Sequence, residues 1–587
     1  MTAFASGKIL ANETGNRAAD NASILAAEAE MLREIHGRLQ AEIKSLLRAK
    51  DSEGAMVLID RCWPQVADAS PEHLARRAGL LEDAGATERS DALFDRLIAN
   101  EATPIEVRVD YARRLRKRGL ILRAHDVIRV AVQDPGARKS AVSLAAEIGG
   151  LCALLRRLEP VRLTADTDAR ILALHQAILT FRDRPLRQRE PGRAGKLALV
   201  TGSLGPGGAE RQIARIAANL QNAYVGDQMV GGVIVDQPVE IIVKSLKSDA
   251  GDFFAPEVLA TGAVITELND VALRHQPIDA ALTDDLSMLL KLLPPPANYG
   301  VCRLAPHLAD QGVDVASLWQ DGAALFAALA ALIAGVPTIH LSFRGLPPSI
   351  RRHLFRPEYE DLYRALAQVP GVQLHCNSKV TAVEYAAWLD LPVERFEVIY
   401  NGVPESDMHG SESETRKFAN FVARTPTATR TIGGVFRLDT DKRPLLWVKL
   451  ASLYAKRHPD TRFVIVGAGR MLARSRQLAT DLGIGDQVLF VGNTVEVGYW
   501  MTQMDVLVLM SRYEGLPNVL IEAQMAGTMV VSTPAGGAAE CFIEGKTGRI
   551  LDEAEKPDLD HACDCIDAMV LAGEARQAAA AQGRAHA

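Results

Sequence analysis

Short apolar runs recur from residue 197 almost to the end of the chain, and each is followed by a segment with helical spacing of its apolar residues. The runs are KLALV, GAVITEL, VDVASLW, PTIHLSF, VQLHCNS and FEVIYNG, then TIGGVF, RFVIVGAG, QVLFVGN, DVLVLMS and MVVSTP. A continuous apolar run is the mark of a strand covered on both faces, and a helical crossover is what a parallel pair of strands requires. The alternation therefore predicts an α/β chain with parallel, doubly wound sheets. Polarity rises over NGVPESDMHGSESETRK, which breaks the series near residue 405 into two units, 191–405 and 406–587. Ligands of such sheets bind beyond the carboxyl ends of the strands, so two facing units would form a cleft.

Residues 1–190 read differently. They are rich in Ala, Leu, Arg and Glu, with helical periodicity throughout. AGLLEDAGATERSDALFDRLI aligns with ARRLRKRGLILRAHDVIRVAV at an offset of 34, pairing Ala78 with Ala112, Leu81 with Leu115, Gly85 with Gly119 and Phe94 with Ile128. That period suits a tetratricopeptide (TPR)-like helix pair, so an all-α, TPR-like domain is expected; a generic helical bundle is the alternative the pattern leaves open. FRDRPLRQREPGRAGK, from Phe181, reads as a basic linker.

Bulk properties exclude several classes. A net charge of -6 argues against a general affinity for nucleic acid. The seven cysteines are scattered, without a CxxC pair or a zinc-like spacing, as in a reduced cytoplasmic protein. The N-terminus lacks a basic stretch followed by an apolar run, so secretion is not expected. AALFAALAALIAGVP, from Ala323, is shorter than the roughly 20 residues a membrane span needs and reads as a buried helix.

SRYEGLPNVLIEAQMAG, from Ser511, carries the most chemistry. DVLVLMS ends as a strand at Ser511, Glu514 and Gly515 lie in the loop, Pro517 suits a first helical turn, and NVLIEAQMAG continues as helix. The backbone N–H groups of Asn518, Val519 and Leu520 then offer the positive end of a helix to a diphosphate. Glu514 and Glu522, one on each side, accept hydrogen bonds from sugar hydroxyls in this reading.

The segment SRYEGLPNVLIEAQMAGTMVVSTPAGGAAE resembles the E-x7-E signature of retaining nucleotide-sugar glycosyltransferases of GT-B fold, glycosyltransferase family 4. The resemblance runs over about residues 195 to 550 and leaves the helical part outside. It implies a donor domain at 406–587 and an acceptor-side domain at 191–405, with Glu514 positioning the donor sugar and Glu522 the ribose. GGVFRLDTDKRP matches the family segment that grips the diphosphate, which implies Arg437 and Lys442; two cations on one loop also suit a dianion physically. Asp439 and Asp441 resemble a D-x-D metal motif, but adjoining cations and the family's habit argue against a metal, and none is expected. SLGPGGAERQ resembles the G-G-x-E-R loop, making Gly207 and Gly208 binding candidates, with Glu210 equally readable as a helix N-terminal charge. VGN at Val491 to Asn493 matches the strand end that receives the base, which adds Gly492 and Asn493. GGAAE at Gly536 to Glu540 is readable either as a donor-sugar contact or as a turn.

One departure concerns the histidine that family members commonly carry after the fourth strand. HLSFRGLPPSIRRHLFRPEYE places Arg344 in that slot, with His340 and His353 nearby. Arg344, with Arg351, Arg352 and Arg356, would suit a carboxylated sugar or an anionic acceptor; a solvated basic loop is the other reading of Arg351 and Arg352. SFRGLPP, WQDG, CNS, YNGV and the helical extension resemble the glycosyltransferases of Vi-type capsular polysaccharide synthesis. That narrower likeness implies transfer of N-acetylgalactosaminuronic acid from a UDP-sugar to a growing polysaccharide or lipid-linked acceptor. It further implies a cytoplasmic enzyme at the inner face of the membrane, with no cofactor, whose helical domain binds other capsule-synthesis proteins. A non-catalytic capsule-assembly scaffold and a GT-B nucleotide-sugar epimerase are the alternatives.

Overall fold

Seven strands answer the first apolar series: β1 (Leu197–Thr201), β2 (Glu240–Val243), β3 (Val264–Glu267), β4 (Val315–Trp319), β5 (Thr338–Phe343), β6 (Val372–Cys376) and β7 (Phe396–Val398). They form one parallel sheet in the order β3-β2-β1-β4-β5-β6-β7. Six more form a second parallel sheet: β8 (Arg430–Val435), β9 (Thr461–Val466), β10 (Val488–Gly492), β11 (Val506–Leu509), β12 (Met529–Ser532) and β13 (Gly548–Ile550). Their order is β10-β9-β8-β11-β12-β13. The two orders are equivalent, each reversing direction beside its first strand. β2 and β13 were absent from the expected series; β2 is nevertheless buried along its whole length.

These descriptions come from a computed structural model covering residues 37–63, 69–134, 136–188, 190–247, 250–274, 282–405, 407–571 and 573–587. The chain divides into two compact units, Met1–Ala169 and Arg170–Ala587, and both sheets lie in the second. That division falls earlier than the Pro-containing linker, because the linker is bound to the first sheet. Arg184 donates to the carbonyls of Val336, Pro337 and Pro370, and Arg187 pairs with Asp314.

Helices alone fill the described part of the first unit up to Leu158, including Pro71–Asp83, Thr87–Ile98, Ile105–Arg118 and Ile121–Ile128. Residues 34 apart occupy equivalent environments. Ala78 and Ala112 are both fully buried, as are Phe94 and Ile128, while Gly85 and Gly119 turn the chain at φ of 85° and 88°. A residue with a Cβ would be strained at either turn.

In the second unit each sheet is packed between helices. The Ala323 segment lies within a helix, Gln320–Ile333, that is buried almost all round. No helix among the described residues is long and apolar enough to cross a membrane. The second sheet's core gathers Trp447, Trp500, Tyr454 and Phe463 around the strands.

Candidate active site

The loops that leave the carboxyl ends of β1, β4 and β5 in the first sheet, and of β8, β9 and β11 in the second, line one cleft of about 830 Å³. This is where the strand order reverses in each sheet, and the diverging loops leave a crevice there. Arg344, Arg351, Arg437, Lys442, Arg470 and Arg512 face it together with the carboxylates of Glu210, Asp439, Asp441 and Glu514. Six cations against four carboxylates give the cleft wall an excess of positive charge.

On the second-domain wall, Arg443 fixes the loop after β8. It stands in the left-handed region at φ 52°, and its buried guanidinium donates to the carbonyls of Met510 (2.6 Å), Ser511 (3.0 Å) and Glu555 (2.8 Å). That clasp sets Lys442 beside Glu514, Nζ to Oε1 2.5 Å. Arg437 stays half-exposed, at the limit of ion-pair distance from Asp439 (3.9 Å) and Asp441 (4.0 Å). Asp439 also meets Arg470 at 3.3 Å. The Glu514 loop is pressed against Gly536 and Gly537, where a Cβ on Gly536 would lie 2.3 Å from the Glu514 carbonyl oxygen and Gly537 N–H donates to Gly515 O at 2.6 Å. The GGAAE glycines are thus close-packing residues. Glu540 faces the first domain, accepting from the N–H groups of Lys379 (2.9 Å) and Val380 (3.0 Å) and from the Tyr400 hydroxyl (2.9 Å).

On the first-domain wall, Arg344 lies over the Trp319 ring at 4.4 Å and donates to Asn401 Oδ1. Burial pushes its pKa down to about 10, so the guanidinium remains charged at neutral pH. Its Nε is buried without a hydrogen-bond partner among the described residues. Arg351 is held by Asp321 (3.0 Å) and lines the cleft, whereas Arg352 and Arg356 are exposed. The solvated-loop reading offered for Arg351 and Arg352 therefore fits Arg352 and not Arg351.

Of the residues expected from sequence, the structure gathers Glu514, Arg437, Lys442, Arg344, Gly207 and Gly208 at this cleft. Glu522, Asn518, Val519, Leu520, Gly492 and Asn493 do not line it. Glu522 is buried and paired with Arg211 at 2.6 Å, an arginine that sequence reading passed over. At the start of the helix Asn518–Met525, Asn401 crosses from the first domain and donates to Leu516 O (3.3 Å) and Asn518 Oδ1 (2.5 Å). Leu520 N–H is also engaged by Pro517 O at 3.0 Å, Leu520 is wholly buried, and Val519 packs against the core. Gly492, at φ 87°, ends β10, and its carbonyl accepts from Gly467 N–H at 2.9 Å.

Residues 416–586 match the family model described as Glycosyl transferases group 1. The chain is 44% identical over 528 residues, 90% of its length and 90% of the relative's, to the Vi polysaccharide biosynthesis protein VipC/TviE of Salmonella typhi. A shorter match, 35% identical over 106 residues, covers 16% of this chain and 28% of a GDP-mannose-dependent alpha-(1-6)-phosphatidylinositol monomannoside mannosyltransferase of Mycolicibacterium smegmatis. A solved structure of Anabaena Alr3699/HepE with UDP and glucose aligns at 18% identity over 67% of this chain and 94% of that one, with a TM-score of 0.49. The two facing doubly wound sheets with a charged cleft between their carboxyl ends are those of a GT-B-like glycosyltransferase. The chain belongs to the group 1 glycosyltransferase family and, within it, to the line of the Vi polysaccharide biosynthesis protein VipC/TviE.

Proposed function

We propose that this protein transfers N-acetylgalactosaminuronic acid, with retention, from its UDP-sugar to a growing polysaccharide or lipid-linked acceptor in Vi-type capsular polysaccharide synthesis. The observation that carries the reading is the convergence of Arg437 and Lys442 with Glu514 at the carboxyl ends of two facing sheets. Glycosyl transfer passes through an oxocarbenium-like state, in which the bond from the anomeric carbon to the phosphate oxygen breaks, the acceptor hydroxyl oxygen bonds to that carbon and its proton passes to the departing phosphate oxygen. Arg437 and Lys442 neutralise the departing diphosphate. Glu514, already in contact with Lys442, accepts hydrogen bonds from the donor sugar, and Gly207 and Gly208 let backbone approach it from the opposite wall. Arg344 and Arg351, which both line the cleft, hold the sugar carboxylate. Glu522, buried and paired with Arg211 through Oε1, stands outside the cleft lining, as do Gly492 and Asn493, and none of the three is given a part in the transfer. Asp439 and Asp441 each face an arginine, which supports neutralisation of the diphosphate by side chains, with no metal or other cofactor.

The 34-residue equivalence of the two helix pairs supports a TPR-like array that binds another capsule-synthesis protein and holds the enzyme at the inner membrane face. The test of the catalytic reading is transfer by purified protein from UDP-N-acetylgalactosaminuronic acid, with and without EDTA. Arg437→Ala and Lys442→Ala should each lower kcat by about 100-fold or more with folding intact. Near-normal turnover in both, or turnover of the UDP-sugar that needs no acceptor, refutes it.

A further inference from the structure

The turn Trp319-Gln320-Asp321-Gly322 joins β4 to the helix Gln320–Ile333, and three successive side chains in it each hold a residue of the cleft wall. Trp319 lies beneath Arg344, Gln320 Nε2 donates to Glu210 Oε1 at 3.0 Å, and Asp321 binds Arg351. Gln320 itself lines the cleft, and it does so at φ 70°, a left-handed conformation disfavoured for any residue with a Cβ. Glycine would remove that strain. What glycine cannot supply is the amide on Glu210.

The Glu210 carboxylate folds back over Gly207, where a Cβ would lie 2.0 Å from Oε2 and would push the carboxylate away from that place. With Oε1 engaged by Gln320, Oε2 remains available as a hydrogen-bond acceptor on the first-domain wall, across the cleft from Glu514. We propose that Gln320 is a positioning residue for the acceptor: it holds Glu210 so that Oε2 receives a hydroxyl of the incoming sugar chain. The inference rests on the reading of the first domain as the acceptor side.

Oligosaccharide fragments of the Vi polymer, titrated into the full-length protein without donor, read the inference directly; the same fragments used as acceptor with UDP-sugar read the function. Gln320→Gly should weaken fragment binding and raise the acceptor KM by about tenfold. Donor KM should stay within about twofold and the thermal midpoint should be no lower, because the strain is gone. Glu210→Gln should show the same split between acceptor and donor. Failure of the unsubstituted protein to bind fragments, or equal binding by Gln320→Gly, overturns the proposal. Fragment binding that Gln320→Gly loses, with no transfer by the parent protein, supports the proposal and refutes the functional reading alone.

Discussion

Asp321 is the most consequential carboxylate outside the reaction itself. It is 8% exposed and accepts from the Tyr363 hydroxyl (2.8 Å), the Tyr385 hydroxyl (2.7 Å) and the Arg351 guanidinium (3.0 Å). Both tyrosines are completely enclosed, and Phe343 stacks on Tyr385 at 4.0 Å, so no solvent can replace a lost acceptor. Asp321→Ala orphans two buried hydroxyls, at about 1–3 kcal/mol each, and frees an arginine that is largely enclosed. Relief of the burial of the carboxylate itself offsets part of this. The expected net loss is about 3–5 kcal/mol, while Asp321→Asn, which keeps one acceptor oxygen, should lose about 2 kcal/mol. At about 2 °C per kcal/mol for a domain of this size, the alanine variant should melt roughly 6–10 °C lower. Thermal unfolding followed by near-UV circular dichroism reads the tyrosine cluster. The asparagine variant, still folded, should show a raised donor KM as Arg351 leaves the wall. A midpoint within about 2 °C of the parent for Asp321→Ala would refute the reasoning.

The same cluster sets an alkaline limit. Burial, reinforced by the Asp321 charge, holds the hydroxyl pKa values of Tyr363 and Tyr385 well above the usual 10. A raised folded-state value means the contribution is complete below about pH 10 and falls away as pH rises further. Thermal midpoints measured from pH 8 to 11.5 should drop beyond about pH 10, and less steeply in Tyr363→Phe/Tyr385→Phe; identical slopes would contradict this. Two glycines on neighbouring helices should behave oppositely. A Cβ on Gly300 would lie 1.6 Å from the Phe326 carbonyl oxygen, so Gly300→Ala should cost at least about 3 kcal/mol, whereas Gly322 has nothing within 4 Å of that position and Gly322→Ala should be neutral or slightly stabilising. Denaturation midpoints of the two variants check the contrast.

The strands were legible because a segment covered on both faces has to be apolar along its length, as VLVL in β11 and MVVS in β12 are. The residues at their carboxyl ends were legible for a related reason: once a strand is placed, its exit loop is placed too, and Arg437, Lys442 and Glu514 follow. Pairings between distant segments leave no such trace. Asn401 and Asn518 are 117 positions apart, and nothing in the pattern of either segment announces that they meet. Arg211 and Glu522 belong to different domains, so a carboxylate read as a ligand group turned out to have a protein partner. Gln320 was visible within WQDG, but its left-handed backbone was not, since glutamine carries no signal for it.

The cleft's charge can act on a ligand because the links that hold its walls in place lie mostly outside it. Glu540 accepts from the first N–H groups of the helix Lys379–Leu389, where the helix dipole favours a carboxylate, and so joins the second domain to the first without drawing on a cleft cation. Asn401 and Asn518 make a neutral link, and the Arg211–Glu522 pair is balanced within itself. Arg443 gives its donors to carbonyl groups and leaves Lys442 and Arg437 facing the cleft. An unpaired excess of positive charge is costly to assemble, and it persists here because Arg443, Asp321 and Trp319 over-determine the loops that carry it. On the proposed function, a diphosphate entering the cleft meets cations already in place, and their attraction goes to stabilising the leaving group instead of ordering the loops.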